Sequence, residues 1–330
     1  MLDQDVARAL LTIADETRAR IAFVGDRHQL PAVGRGGVLD HAARWARPEA
    51  YLELETVHRF TDPEYADLTL LMRTGQRPGE VFDQLHARGL INIHPTEVER
   101  LAALTNVDGT IIADTREQVA ALNSAIRDQR LSTGQTSPAT TVTTAAGERL
   151  SAGDIIATRR SNRDLDVANR DRWTVTGTNQ HGGLVVRGLG GTRSLPADYV
   201  RQHVELAYAS TVHGTQGETV DQAHMIIGEA TGAAAAYVGM TRGRHHNTAH
   251  LVAETLEEAR AQWVDVFSRD RADLGPSHAA ETATEDIERY GPQAPSRATE
   301  HDVHTAHRGP RRPPEPIPAA SAPGPTTVRR

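Results

Sequence analysis

The sequence predicts an α/β protein: a parallel sheet flanked by helices, interrupted by a small antiparallel β-barrel and followed by a disordered tail. Short apolar runs such as Ile-Ala-Phe-Val at 21–24 and Thr-Ile-Ile-Ala at 110–113 alternate with helical periodicity, as buried parallel strands and their crossovers do. From about residue 138 to 205 the texture changes to short alternating runs rich in Thr, Val and Gly, the pattern of a small barrel. Beyond Gly291 the chain holds nine of its 17 prolines, and such a stretch cannot bury enough surface to fold.

Each element follows from its own residues. Val6, Ala9, Leu10, Ile13 and Ala14 recur at helical spacing and predict a helix over 5–20. The run 21–24 predicts a buried strand ending at Gly25-Asp26, and Gly34, Gly36 and Gly37 keep the next loop open. A second strand is predicted over 52–57, and helices over 64–74 and 79–88. Segment 110–131 reads as a strand, an N-cap at Asp114 or Thr115, and a helix with Val119, Leu122 and Ile126 facing inward. Inside the barrel, strands are predicted over 140–144, 154–159, 173–177 and 184–189, with Gly-rich turns between them. The parallel pattern resumes with a strand over 224–228, a helix over 231–241 and a closing strand over 249–253; an acidic helical stretch begins near 257.

The 330 residues carry a net charge of -7, so nucleic-acid binding has to rest on a local basic groove. All 36 basic residues are arginine; there is no lysine and no cysteine. Without cysteine, disulfides and thiolate metal sites are excluded. No apolar run of about 18 residues occurs, so no membrane partner is expected. The N-terminus lacks a signal pattern, and a cytoplasmic location is expected. None of the 16 histidines has metal-ligand spacing, and no metal site is predicted.

Four blocks have the composition that phosphate chemistry needs. In GDRHQLPAVGRGG (25–37), a strand ending in Gly25-Asp26 places a carboxylate at the carboxyl edge of a parallel sheet, where ligands of open α/β folds bind. Gln29 then stands within reach of a terminal phosphate or its attacking water. Gly-Asp alone is more often an ordinary strand and loop. LETVHRF (54–60) contributes Arg59, which says little by itself, and Phe60, expected in the core rather than stacked on a base. In YASTVHGTQGET (208–219), Thr211, His213 and Thr215 can donate to phosphodiester oxygens while glycines let the backbone approach. YVGMTRGR (237–244) offers Arg242 and Arg244, forks suited to phosphate. The barrel adds Arg159, Arg160, Arg163, Arg170 and Arg172 beside Trp173. Arginines interleaved with an aromatic suit single-stranded DNA, although Trp173 lies in an alternating run and is expected in the barrel core.

Together the blocks closely resemble motifs of RecD-like superfamily 1 DNA helicases, above all the C-terminal helicase portion of MobF-class conjugative relaxases (TraA/TraI-like), over about residues 1–255. The resemblance implies a RecA-like (P-loop NTPase-type) motor with an inserted barrel. It implies a remnant of the first motor domain over 1–58, the second over 59–137 and 206–256, the barrel over 138–205, and an acidic helical stretch and tail over 257–330. It assigns catalysis to Gln29, Arg59 and Arg242, with Arg242 as an arginine finger. It assigns nucleotide binding to Gly25, Asp26, Gln29, Arg59, Gln216, Gly217 and Arg242, and DNA binding to Thr211, His213 and Thr215. Arg244 is expected in a structural ion pair. The family often has lysine where this chain has Gly214, which implies weaker DNA binding.

The implied cofactor is ATP with Mg²⁺, and the implied partner is single-stranded DNA. The family's Walker A motif needs a lysine that this chain does not contain. The Asp15-Glu16 pair resembles Walker B, but the strand over 21–24 follows too soon, since parallel neighbours need a crossover of about a dozen residues. The resemblance therefore implies an N-terminally truncated helicase, inactive alone, with a further polypeptide supplying the missing half. The alternatives are a non-enzymatic single-stranded DNA-binding remnant and a decayed gene fragment.

Overall fold

The computed structural model describes residues 2–32, 37–54, 56–139, 141–179 and 181–269, all within one compact unit, Met1–Glu281. Gly34, Gly36 and the predicted tail lie outside the described residues. In chain order, α1 (Gln4–Thr17), α2 (Val38–Trp45), α3 (Pro63–Thr74) and α4 (Pro78–Ala87) precede β1 (Ile91–His94), α5 (Glu97–Leu104), β2 (Thr110–Ala113) and α6 (Arg116–Ser132). The insertion follows as β3 (Val142–Thr143), β4 (Arg149–Leu150), β5 (Ile155–Thr158), β6 (Arg172–Thr178), β7 (Leu184–Gly188), β8 (Gly191–Leu195), α7 (Ala197–His203) and β9 (Val204–Leu206). Then come β10 (Ala209–Thr211), α8 (Val212–Thr215), β11 (Val220–Ile226), α9 (Ala233–Gly239), β12 (Gly243–Val252) and α10 (Leu256–Ser268).

The main sheet runs β1-β12-β11-β2-β10, and every pairing is parallel. Burial on both faces explains why its strands read as apolar runs. All of β2 is buried: Ile112 faces the core formed with α3, α4, α9 and α10, while Ile111 and Ala113 face the opposite core with α6. Trp263 of α10 and Phe82 of α4 anchor the first core, and Phe60 packs at its margin, edge-on to Tyr65. The predicted β–α unit is present, with Thr115 as N-cap of α6 and Gln118 completing a capping box.

Two predicted strands are not formed by the described residues. Residues 21–24, 52–54 and 56–57 belong to no ladder, because no described neighbour offers them backbone partners. Their apolar side chains stand open: Val24 is 92% exposed, Leu52 85% and Leu54 77%. The predicted apolar face of α1 is likewise exposed at Val6, Leu10 and Ile13. The helix itself is secured locally, with Asp3 accepting from the Val6 N–H at 2.8 Å.

The insertion is an antiparallel sheet, β8-β7-β6-β5-β9, with β3-β4 as a separate ribbon. Among the described residues, hydrogen bonds do not close it into a ring. Leu150 of the ribbon packs with Ile156, Trp173, Val175, Leu184 and Leu195, so ribbon and sheet share one core. Trp173 is buried there as its alternation predicts. The insertion is riveted to α6 by a buried ion pair, Arg127 Nε to Asp154 Oδ2 at 3.1 Å. The same carboxylate accepts from the Ser151 N–H at 2.7 Å and the Tyr208 hydroxyl at 2.7 Å.

Three histidines form a chain across β1, β12 and β11. The Asp108 carbonyl can only accept, so His224 donates to it through Nε2 at 3.0 Å. His224 Nδ1 then accepts from His250 Nε2 at 3.1 Å, and His250 Nδ1 accepts from His94 Nε2 at 3.0 Å. The chain holds with all three imidazoles neutral. Burial, with repulsion from His224, His94 and Arg100, pulls His250 down to about 3. An unfolded histidine takes up its proton near pH ~6.5, whereas folded His250 does not. The stability contributed by neutral His250 is therefore fully present above about pH 6.5 and is lost as the pH is lowered toward about 3. The urea midpoint should drop across that window, and His250→Gln should flatten the dependence.

Candidate functional site

A cleft of about 700 Å³ opens where three distant segments converge. One wall is the Gly25–Leu30 loop with the start of α2, another is His213, Gln216 and Gly217 after β10, and the third is Asn169 and Arg170 from the insertion. Of the residues predicted for nucleotide, Gly25, Asp26, Gln29, Gln216 and Gly217 are thus brought together, with His213 beside them. Gln216 Nε2 donates to the Leu30 carbonyl at 3.3 Å and ties two of the walls. Gly217 has φ 92°, the left-handed region that favours glycine.

Asp26 is the hub behind the cleft. Its carboxylate accepts from the Tyr237 hydroxyl at 2.9 Å, the His28 N–H at 3.0 Å and Gln29 Nε2 at 3.4 Å. It also pairs with Arg73 Nε at 3.5 Å, and Arg73 Nη2 reaches Glu53 at 3.1 Å. Burial, then the Asp26 charge, raises the Tyr237 phenol and keeps it protonated. Sequence reasoning missed Arg73, since an arginine on a helix ordinarily reads as a solvated charge.

Arg59 and Arg242 lie near this hub but do not line the cleft. Arg59 Nη1 donates to the Thr241 carbonyl. Arg242 is 1% exposed and donates through Nε to the Val238 carbonyl at 2.9 Å. Its Nη1 reaches the Glu218 carbonyl at 3.3 Å and its Nη2 the Thr241 hydroxyl at 3.2 Å. Burial, followed by the neighbouring Arg59 charge, pulls Arg242 down to about 10, still charged at neutral pH. The predicted helix over 231–241 is shorter, ending at Gly239, so Arg242 sits in the turn before β12. Arg244 stands exposed on β12, and among the described residues it has no ion pair, contrary to expectation.

The three predicted DNA contacts separate. Thr211 caps α8, its hydroxyl accepting from the Gly214 N–H at 3.1 Å. Thr215 is buried and its hydroxyl donates to the Val212 carbonyl at 3.1 Å, so that proton is not presented outward. His213 remains at the cleft, and burial and Arg170 hold its imidazole below the ordinary value, hence neutral. A Cβ at Gly214 would lie 2.4 Å from Ser210 Oγ, so the local packing favours glycine there. Among the described residues, no group of three or more His, Asp or Glu is placed to hold a metal ion. No described helix is long and apolar enough to cross a membrane.

Comparison with known proteins adds the following. The AAA domain family matches residues 1–96. An uncharacterized protein of Mycobacterium tuberculosis, Rv2311, is 38% identical over 116 residues, covering 33% of this chain and 67% of that protein. The probable conjugal transfer protein TraA of Sinorhizobium fredii is 26% identical over 245 residues, covering 70% of this chain but 22% of TraA. The chain therefore spans about a fifth of the length of TraA. The crystal structure of Pif1 helicase from Candida albicans superposes with a TM-score of 0.55 at 15% identity, covering 88% of this chain and 74% of that one. With the parallel sheet and its flanking helices, this shows a RecA-like fold.

Proposed function

We infer that this chain, which belongs to one family with the uncharacterized mycobacterial protein Rv2311, is the nucleotide-phosphate- and single-stranded-DNA-binding portion of a RecD-like helicase of the conjugative relaxase type. The observation that supports this reading is the convergence of the 25–30 loop, the 211–217 loop and the insertion on one cleft. Gln29, Gln216 and Gly217 line that cleft, and Asp26 links it to Tyr237 and the arginine pair. In this reading residues 1–58 belong to a first motor domain, 59–137 and 206–256 to a second, and 138–205 to the insertion. The segment 257–330 is an accessory helix and tail.

The chain alone is not an ATPase. Its 330 residues contain no lysine for the β- and γ-phosphates. The described residues offer no ligand set for Mg²⁺, so no step is assigned to the metal. The Walker A and B groups are contributed from outside this sequence, by further chain or by a separate polypeptide. Arg59 and Arg242 turn inward in this structure, and acting on a phosphate requires them to exchange carbonyl partners. That inward commitment favours a second reading, a DNA-binding module that works without turnover.

Purified chain is expected to show no ATP hydrolysis above background and to bind a fluorescein-labelled dT oligonucleotide with an affinity that falls as salt rises. DNA-stimulated hydrolysis that Arg242→Ala abolishes would overturn the inactive-portion reading. DNA binding unaffected by added ATP selects the second reading.

A further inference from the structure

Arg170 belongs to the insertion, yet its side chain reaches the cleft. Its backbone has φ 75°, a conformation an arginine rarely adopts. The surrounding loop enforces it: the Arg170 N–H donates to the Thr158 carbonyl at 2.6 Å, and the Thr158 hydroxyl donates to the Ala168 carbonyl at 2.6 Å. Asp171 closes the turn by accepting from the Ala168 N–H at 2.7 Å. The effect of this backbone is to aim the guanidinium out of the insertion and across to the 211–217 loop.

Only one end of that guanidinium is used. Nη1 donates to the His213 carbonyl at 2.8 Å and the Gly214 carbonyl at 3.1 Å. Nε and Nη2 make no hydrogen bond to any described residue, and the side chain is only partly buried. The result is a fork that lines the cleft and is anchored through one nitrogen, with its remaining N–H groups unpaired among the described residues. Pre-anchoring lowers the entropy lost when such a fork binds an oxyanion. The carboxylates that feel the Arg170 charge are Glu205 and Glu218. Glu205 pairs with Arg159 at 3.3 Å, and among the described residues neither acid forms an ion pair with Arg170.

We propose that Arg170 is an oxyanion-binding residue of the cleft, presented by the insertion, and that its ligand is a phosphate group. This deepens the functional reading above and rests on it. Nucleotide and DNA backbone share this chemistry, so the test has an arm for each. The 330-residue chain and its Arg170→Gln variant are titrated with fluorescein-labelled dT oligonucleotide, and separately with N-methylanthraniloyl (mant) ADP and mant-adenosine.

If the phosphate is DNA's, oligonucleotide binding weakens roughly tenfold or more in the variant, and the slope of log affinity against log salt falls by about one. If it is the nucleotide's, mant-ADP weakens and mant-adenosine does not. A purely structural role in holding the loop would move neither the salt slope nor the difference between the two mant probes. Arg170→Gly, which suits the positive φ, keeps the test valid should Arg170→Gln fold poorly. Unchanged binding of both phosphate probes in a folded variant overturns the proposal. Wild-type protein that binds neither probe overturns the functional reading itself, and is recognised before any variant is made.

Discussion

Replacing Asp154 by Ala should lower folding stability by about 3–5 kcal/mol, the range for breaking a buried pair by removing one partner. Arg127, buried on α6, would be left charged without its carboxylate, and the Tyr208 hydroxyl and Ser151 N–H would lose their acceptor. The Tyr208 phenol, held up to about 12 by burial and by Asp154, should titrate at a lower pH in the variant. Because the pair joins α6 to the insertion, chemical denaturation should show the insertion losing protection first. The double variant Arg127→Met with Asp154→Leu removes both charges and should recover most of the loss. If the double variant is as unstable as Asp154→Ala, the penalty does not arise from an uncompensated charge.

The second large effect is expected at Arg242. Its guanidinium satisfies the carbonyls of Val238 and Glu218 and the Thr241 hydroxyl while almost wholly buried. Arg242→Ala leaves these acceptors without a charged donor, a loss of about 2–4 kcal/mol. The repulsion from Arg59 disappears at the same time and offsets part of it. The loss should appear as a lower thermal midpoint in the absence of any nucleotide. A residue that acted solely on a bound phosphate would leave the ligand-free midpoint unchanged. Arg242→Lys keeps the charge but lacks the fork that spans Val238 and Glu218, and should recover little.

The fold was legible where local chemistry and burial agree. The 110–131 segment shows it: an apolar run became β2, and Thr115 with Gln118 capped α6 as the side chains dictate. The insertion was legible from its alternation, down to Trp173 in its core. The strands predicted over 21–24 and 52–57 are not formed by the described residues there, because an apolar run has strand potential but a strand exists only with a neighbour. At the site, the motif residues Gly25, Asp26, Gln29, Gln216 and Gly217 line one cleft. The motifs did not indicate Arg73, nor that Thr215 turns its hydroxyl inward. Nothing local to those residues encodes their partners, which lie on other elements or are set by how a four-residue helix packs.

By itself the sequence determined the alternation of strand and helix, the position of the insertion, the segments that carry phosphate-type residues and the absence of lysine from the whole chain. Those are properties of composition and spacing, which folding does not change. Only the tertiary structure decided which donors remain free. Arg242 spends its donors on two carbonyls and the Thr241 hydroxyl, Asp26 is engaged by Tyr237, His28 and Gln29, and Arg170 is anchored at one nitrogen and unpaired at the rest among the described residues. Hydrogen bonding is competitive: each N–H goes to whichever acceptor the packed chain brings within reach. Availability for a ligand is therefore a property of the fold rather than of the residue type.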